Sequence, residues 1–324
     1  MRPSSRFSSS PFRRLLASWV GLALSLVGLA GWAAGGTAAA QEVVQVDTGH
    51  IERMRAFPSR FVAPRNVDVW LPEDYTPTRR YQVLYMHDGQ MLFDAKNTWN
   101  GQSWHVDRAV THLVKAGAIA DTIVVAVWNN GDYRHAEYFP QKFLAAMPAT
   151  QRDGFVAQAL KGQPLSDNYL RFLVEELKPE IDRRYATRPE RASTFIAGSS
   201  MGGLISVYAM NEYPEVFGGA AGLSTHWIGI MKRNTAIPLA AFIYLQAHLA
   251  DPLHHRLYQD HGSLDLDALY EPYQSFIDEI VRERGYDDDH FMSRVFEGQS
   301  HTESAWAARL ETPLTFLLRP ERSQ

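Results

Sequence analysis

The chain has 324 residues, 45% of them hydrophobic and 21% charged, and such ordinary globular usage excludes wholesale disorder. Its formal net charge is −4, and four of its 32 basic residues (Arg2, Arg6, Arg13 and Arg14) fall in the first forty positions, which hold no Asp or Glu. The remainder is therefore more acidic still, which argues against a nucleic-acid partner, and the absence of cysteine excludes disulfides, thiolate metal sites and a Cys nucleophile.

Arg13 and Arg14 precede a run from Leu15 to Ala34 that carries no charge, and a small-residue stretch then ends in Ala38-Ala39-Ala40. A positive start, an apolar middle and an Ala-x-Ala site predict a secretory signal peptide over residues 1–40. Residues 41–324 are then expected to form one exported domain, periplasmic or secreted, with no stable insertion in a membrane.

Glu42–Val46 and Asn66–Leu71 alternate apolar and polar residues and predict antiparallel edge strands. Val83–Met86 and Thr122–Trp128 are apolar and rich in β-branched residues, as strands covered on both faces require. Between them Val106, Val110, Leu113 and Val114 keep helical spacing, with Gly117 as the C-terminal stop. From Asn129 to Ser166 the periodicity breaks, and residues 129–166 read as an irregular insertion forming a lid or pocket wall. Helical spacing resumes with Leu170, Leu173, Val174, Leu177 and Ile181, capped by Asp167 and kinked or ended by Pro179. Thr194–Ala197, Ala220–Leu223, Arg256–Gln259 and Phe291–Phe296 predict further strands. Leu204–Met210, the stretch from Tyr273 to Val281 and Glu303–Leu310 predict helices. Strands alternating with helices make an α/β fold, a mostly parallel sheet with helices on both faces.

The strongest chemical signal is Gly198-Ser199-Ser200-Met201-Gly202, a Gly-x-Ser-x-Gly pattern between an apolar strand and an apolar helix. Such a turn holds Ser200 in a strained conformation, leaves no room for side chains at the glycines, and aims the helix N-terminus at the reacting centre. A serine hydroxyl needs a base, usually a histidine oriented by a carboxylate. In the chain order of α/β hydrolases the acid and then the base follow the serine. His301, after the last strand, stands where the base belongs, and His226 is its rival. Asp260, Asp265 and Asp267 are the candidate acids. Asp260 reads as a strand-end residue tying down a turn, and Asp267 is preferred to Asp265, with helix capping as its competing role. Position after the third strand and at the helix start suggests the backbone N–H groups of Gln90 and Met201 as the oxyanion donors. The His254, His255, Asp260, His261 group matches no metal-site spacing, and neither metal nor cofactor is expected. Trp104, Trp128, Tyr133, Tyr138 and Trp227 fall where they could line a pocket or pack in the core.

With these segments placed, the chain resembles the esterase family of α/β hydrolases. That family includes siderophore esterases, feruloyl and acetyl-xylan esterases, S-formylglutathione hydrolases and mycolyltransferases. The likeness runs from about Val43 to Leu318. It is carried by Leu84–Gln90, by Asn129 through Arg134 to Tyr138, by Gly198–Gly203, by Tyr258–Tyr270 and by Gly298–Trp306. It implies an α/β-hydrolase fold, a Ser200–Asp267–His301 triad, and a small-molecule or saccharide ester as substrate. An acyltransferase on the same scaffold, or a non-catalytic ligand-binding relative, would be the alternatives.

Overall fold

The computed structural model describes residues 44–320, so the expected signal peptide, with Glu42 and Val43, lies outside the described residues. Eight strands form one sheet: β1 (His50–Phe57), β2 (Arg65–Leu71), β3 (Gln82–His87), β4 (Thr122–Val127), β5 (Thr194–Ser199), β6 (Gly219–Leu223), β7 (Arg256–Gly262) and β8 (Phe291–Phe296). Their order is β1-β2-β4-β3-β5-β6-β7-β8. The β1–β2 and β2–β4 pairs are antiparallel and every other pair is parallel.

The helices follow as α1 (Val106–Lys115), α2 (Arg134–Tyr138), α3 (Phe143–Ala146), α4 (Ala149–Gln158), α5 (Ser166–Arg171), α6 (Lys178–Arg184), α7 (Met201–Glu212), α8 (Ala236–His248), α9 (Glu271–Glu283), α10 (Glu303–Arg309) and α11 (Glu311–Leu318). Among the described residues no helix is long and apolar enough to cross a membrane.

The central strands are buried on both faces, and their side chains alternate between two cores as the pleat dictates. Val83, Tyr85, Ile123, Val125, Val127 and Ile196 enter one core, with α5 to α9 against it. Leu84, Met86, Val124, Ala126, Phe195 and Ala197 enter the other, under α1, α10 and α11. This is the α/β fold, mostly parallel with helices on both faces, that the strand–helix alternation predicts.

Several local expectations need correction. Val44–Val46 is not a strand; the edge strand is β1, whose Arg53 pairs across to Asp68 on β2 at 2.6 Å. β2 is therefore one place in from the edge. Pro179 does not end its helix. The chain passes from α5 through a π-helical segment, Phe172–Leu177, directly into α6, and Pro179 sits in the first turn of α6. Asp167 is not the cap of α5; it lies within the first turn and accepts a hydrogen bond from the Tyr208 hydroxyl at 2.7 Å. Residues 129–166 are not irregular throughout but carry α2, α3 and α4. Finally, α8 was unmarked by pattern because its sequence, Ala236–His248, is apolar almost all round.

Residues 129–166 are tied to the sheet through a buried ion pair. Arg65 on β2 forks onto Glu137 of α2 at 2.8 and 2.6 Å, with both side chains almost wholly inaccessible. The guanidinium also lies over the rings of Tyr169 and Phe172. Removing one partner strands the other charge away from water. Glu137→Leu is expected to lower the unfolding free energy by about 3–5 kcal/mol, readable by urea denaturation; an unchanged midpoint would refute this role for the pair.

Candidate active site

In a parallel sheet the carboxyl ends of the strands open onto one edge, and ligands gather there. Ser200 follows β5 at that edge with φ 55° and ψ −122°, a backbone region foreign to ordinary L-residues. Its N–H donates to the Leu223 carbonyl at 2.8 Å, and its carbonyl accepts from the N–H of His226 at 3.2 Å. The bend is thus clamped to the loop after β6. Ser200 itself is only half-buried, so the bend is not sealed in the core.

Gly198 is sterically required beside this bend, and Gly202 sits in tight quarters. A Cβ on Gly198 would lie 2.7 Å from the carbonyl carbon of Gly202. A Cβ on Gly202 would press at 3.3 Å on both His87 and Asp88. That second contact brings the loop after β3, which carries Gln90, against the start of α7, which carries Met201. The first N–H groups of a helix lack partners within it. Asp88 holds this loop in a left-handed turn (φ 56°) by forking onto Arg134 at 2.6 Å twice and accepting from Asn129 at 2.7 Å. Burial works to raise the Asp88 carboxyl, but the Arg134 charge and these bonds outweigh it and hold the group below its ordinary range.

His301, in the loop after β8, is hydrogen-bonded through Nδ1 to Asp267 Oδ1 at 2.6 Å. Asp267 is completely buried. Its second oxygen accepts from the Gly262 N–H and the Ser224 hydroxyl, each at 2.6 Å. Burial alone would raise this carboxyl; the bond and charge of His301, with the two further donors, leave it lowered and ionised. Its side chain is thus engaged with His301 and these donors, not with capping the following helix. Asp265, by contrast, is exposed at φ 54°. Asp260 is not at a strand end. It lies inside β7, fully buried, and pairs with Arg309 of α10 at 2.9 Å.

His226 is brought close but in a different state. Its Nδ1 meets the Tyr270 hydroxyl at 2.6 Å, and burial, helped by the charges of His301, His135 and Arg134, pushes its pKa down to about 3. It is a neutral neighbour, 6.5 Å from the His301 ring. Tyr270 also brings its own ring to 5.9 Å from His301. Sequence reasoning gave no role to Tyr270, Ser224, Trp306 or Arg309, whose bonds here run to partners more than forty residues away in the chain. Of the aromatics, Trp104, Tyr138 and Trp227 are buried: Trp104 packs on Trp306 at 5.5 Å, Tyr138 on His87 at 5.1 Å, and Trp227 donates to Gln274 of α9 at 2.8 Å.

Chemically, the arrangement sets a strained, accessible hydroxyl at the start of a helix, in one cluster with an imidazole whose Nδ1 is held by an ionised carboxylate.

The family described as Putative esterase matches residues 59–317. Among curated proteins, an endo-1,4-beta-xylanase/feruloyl esterase of Xylanibacter ruminicola is 24% identical over 200 residues, which is 60% of this chain and 23% of that protein. The chain therefore spans about a quarter of the length of this relative. Among solved structures, a ferulic acid esterase superposes with a TM-score of 0.61 at 20% identity, covering 84% of this chain and 99% of the other. The enterobactin esterase FES from Shigella flexneri, solved in the presence of enterobactin, gives 0.61 at 16% identity, with 82% and 58% covered. At those identities the superpositions establish a shared fold.

Two buried histidines predict a pH response. His87, with Nδ1 on the Tyr169 hydroxyl at 2.8 Å, and His226 are both pushed by burial to about 3 from an ordinary 6.5. Both stay neutral in the fold while the unfolded chain takes up protons below about 6.5. Stability present above that pH is therefore lost as the pH falls toward about 3. His226→Gln should flatten this slope by about 1.4 kcal/mol per pH unit, measured by urea unfolding between those limits. An unaltered slope would contradict the neutral state.

Proposed function

The chain belongs to the Putative esterase family of carboxylic ester hydrolases, and on that premise we propose that it is a serine esterase working through Ser200, His301 and Asp267. The observation that carries this reading is the left-handed Ser200 bend at the carboxyl edge of the sheet, with the 2.6 Å Asp267–His301 bond beside it.

In this mechanism the Ser200 oxygen attacks the acyl carbon while Nε2 of His301 takes its proton. Asp267, already ionised and bonded to Nδ1, fixes the ring's tautomer and stabilises the imidazolium that forms. The backbone N–H groups of Gln90 and Met201 receive the developing oxyanion at the start of α7. The close approach of the Gly202 backbone to His87 and Asp88 supports that placement. His301 then protonates the leaving alcohol, and water, activated by the same imidazole, releases the acid from the acyl-enzyme.

The relatives named as feruloyl and enterobactin esterases recommend aromatic carboxylic esters and a siderophore trilactone as the first substrates to offer. Short nitrophenyl esters and acetylated sugars complete the panel. On whichever ester is turned over, Ser200→Ala is expected to lower kcat/KM by at least about 10³-fold. Hydrolysis undiminished in that variant would refute the assignment.

We also propose that the protein acts outside the cytoplasm, on the strength of Arg13-Arg14, the uncharged run from Leu15 to Ala34 and Ala38-Ala39-Ala40. Expression of the full chain in a Gram-negative host should yield protein in the periplasm or medium that begins at Gln41. Full-length protein confined to the cytoplasm would contradict it.

A further inference from the structure

Ser224, the first residue after β6, lies behind the triad and is fully buried. Its hydroxyl oxygen has three side-chain partners: Asp267 Oδ2 at 2.6 Å, Arg309 Nη2 at 2.8 Å and Trp306 Nε1 at 2.9 Å. A guanidinium and an indole N–H can only donate. Both therefore occupy the lone pairs of the Ser224 oxygen, and its single proton has one acceptor left, the Asp267 carboxylate.

We propose that Ser224 is a positioning residue of the catalytic centre, its hydroxyl locked as a donor by Arg309 and Trp306 so that it holds Asp267 in the orientation that grips His301. The inference rests on the triad reading above and goes beyond it. Three further observations bear on it.

Ser224 sits at φ 46°, a conformation that non-glycine residues rarely adopt and that the surroundings must enforce. Its own N–H donates to Asp260 Oδ1 at 3.1 Å, and Asp260 in turn pairs with Arg309 at 2.9 Å. Backbone, carboxylate, guanidinium and hydroxyl thus close a ring of hydrogen bonds, braced by the Tyr258 hydroxyl on Asp260 at 2.9 Å. Lastly, the guanidinium stops 3.9 Å from Asp267 Oδ2. Ser224 stands between the two charges and passes the polarisation of one to the other through a short bond.

The groups that face this centre are Arg309 from α10, Asp260 from β7, His226 and Tyr270 from the loops after β6 and β7, and His301 itself. Arg134 and His135 act on it at longer range through His226. Removing the Ser224 hydroxyl takes an acceptor from Arg309 and Trp306 but removes none of these charges, and Arg309 keeps its pairing with Asp260. Asp267 then loses one donor and becomes the stronger base, which favours the protonated form of His301.

The test compares Ser224→Ala with Ser224→Gly in the full chain, on an ester that the parent enzyme hydrolyses. Both lack the hydroxyl, but glycine relieves the positive φ and alanine does not. Both variants are expected to lose kcat roughly 10- to 100-fold with little change in KM. Both should also move the acid limb of the kcat/KM profile to higher pH, although the glycine variant unfolds at the higher temperature of the two. An unmoved acid limb with parental kcat overturns the proposal. So does a kcat that follows thermal stability, with the glycine variant recovering parental turnover. A parent enzyme inactive on every ester, or full activity in Ser200→Ala, sinks the triad reading itself, which separates that failure from this one.

Discussion

The two oxygens of Asp267 are where the loops of this fold converge. One is held by His301 from beyond β8; the other takes the backbone N–H of Gly262 at the end of β7 and the hydroxyl of Ser224 from the end of β6. A buried carboxylate is costly to keep charged, and three short donors are what keep it so. Because each donor comes from a different strand end, the charge is maintained only while neighbouring strands keep their register. Sheet pairing and the state of the candidate site are therefore one constraint. The backbone strain at Ser200 and Ser224 persists for the same reason: the N–H bond from Ser200 to Leu223 and that from His226 to the Ser200 carbonyl leave the chain no relaxed alternative.

The other side of the centre rests on a second group of buried charges. Asp88 and Arg134 hold the loop after β3, and Arg65 and Glu137 hold α2 against β2. The stretch from Asn129 to Tyr138 thus links the sheet edge to the turn beside Gly202. Its polar residues read as a loop because their partners are elsewhere in the chain. Their regularity is electrostatic, and hydrophobic periodicity does not report it.

What was legible in the sequence was local. Gly198 is demanded by the Gly202 backbone four residues on, whereas the crowding at Gly202 comes from His87 and Asp88, far upstream. His301 and the order of strands and helices follow from chain order and period. The choice of Asp267 over Asp265 turns on two residues of loop, where one carboxylate points into the core and the other into solvent, and only the folded backbone separates them. Ser224, Tyr270 and Arg309 were invisible because each acts through a partner tens of residues away. The strand β1 was missed because its Arg53 is satisfied across the strand pair by Asp68, and α8 because a helix apolar on every side has no period to detect.

The account stands on Ser200 being the nucleophile, and covalent trapping tests this most directly. The folded enzyme is treated with an alkyl fluorophosphonate and its peptides are mapped by mass spectrometry. The account predicts one adduct per chain, on Ser200, with trapping slowed severely in His301→Ala. A folded enzyme that hydrolyses esters yet takes up no label, or takes it up on another residue, would contradict it.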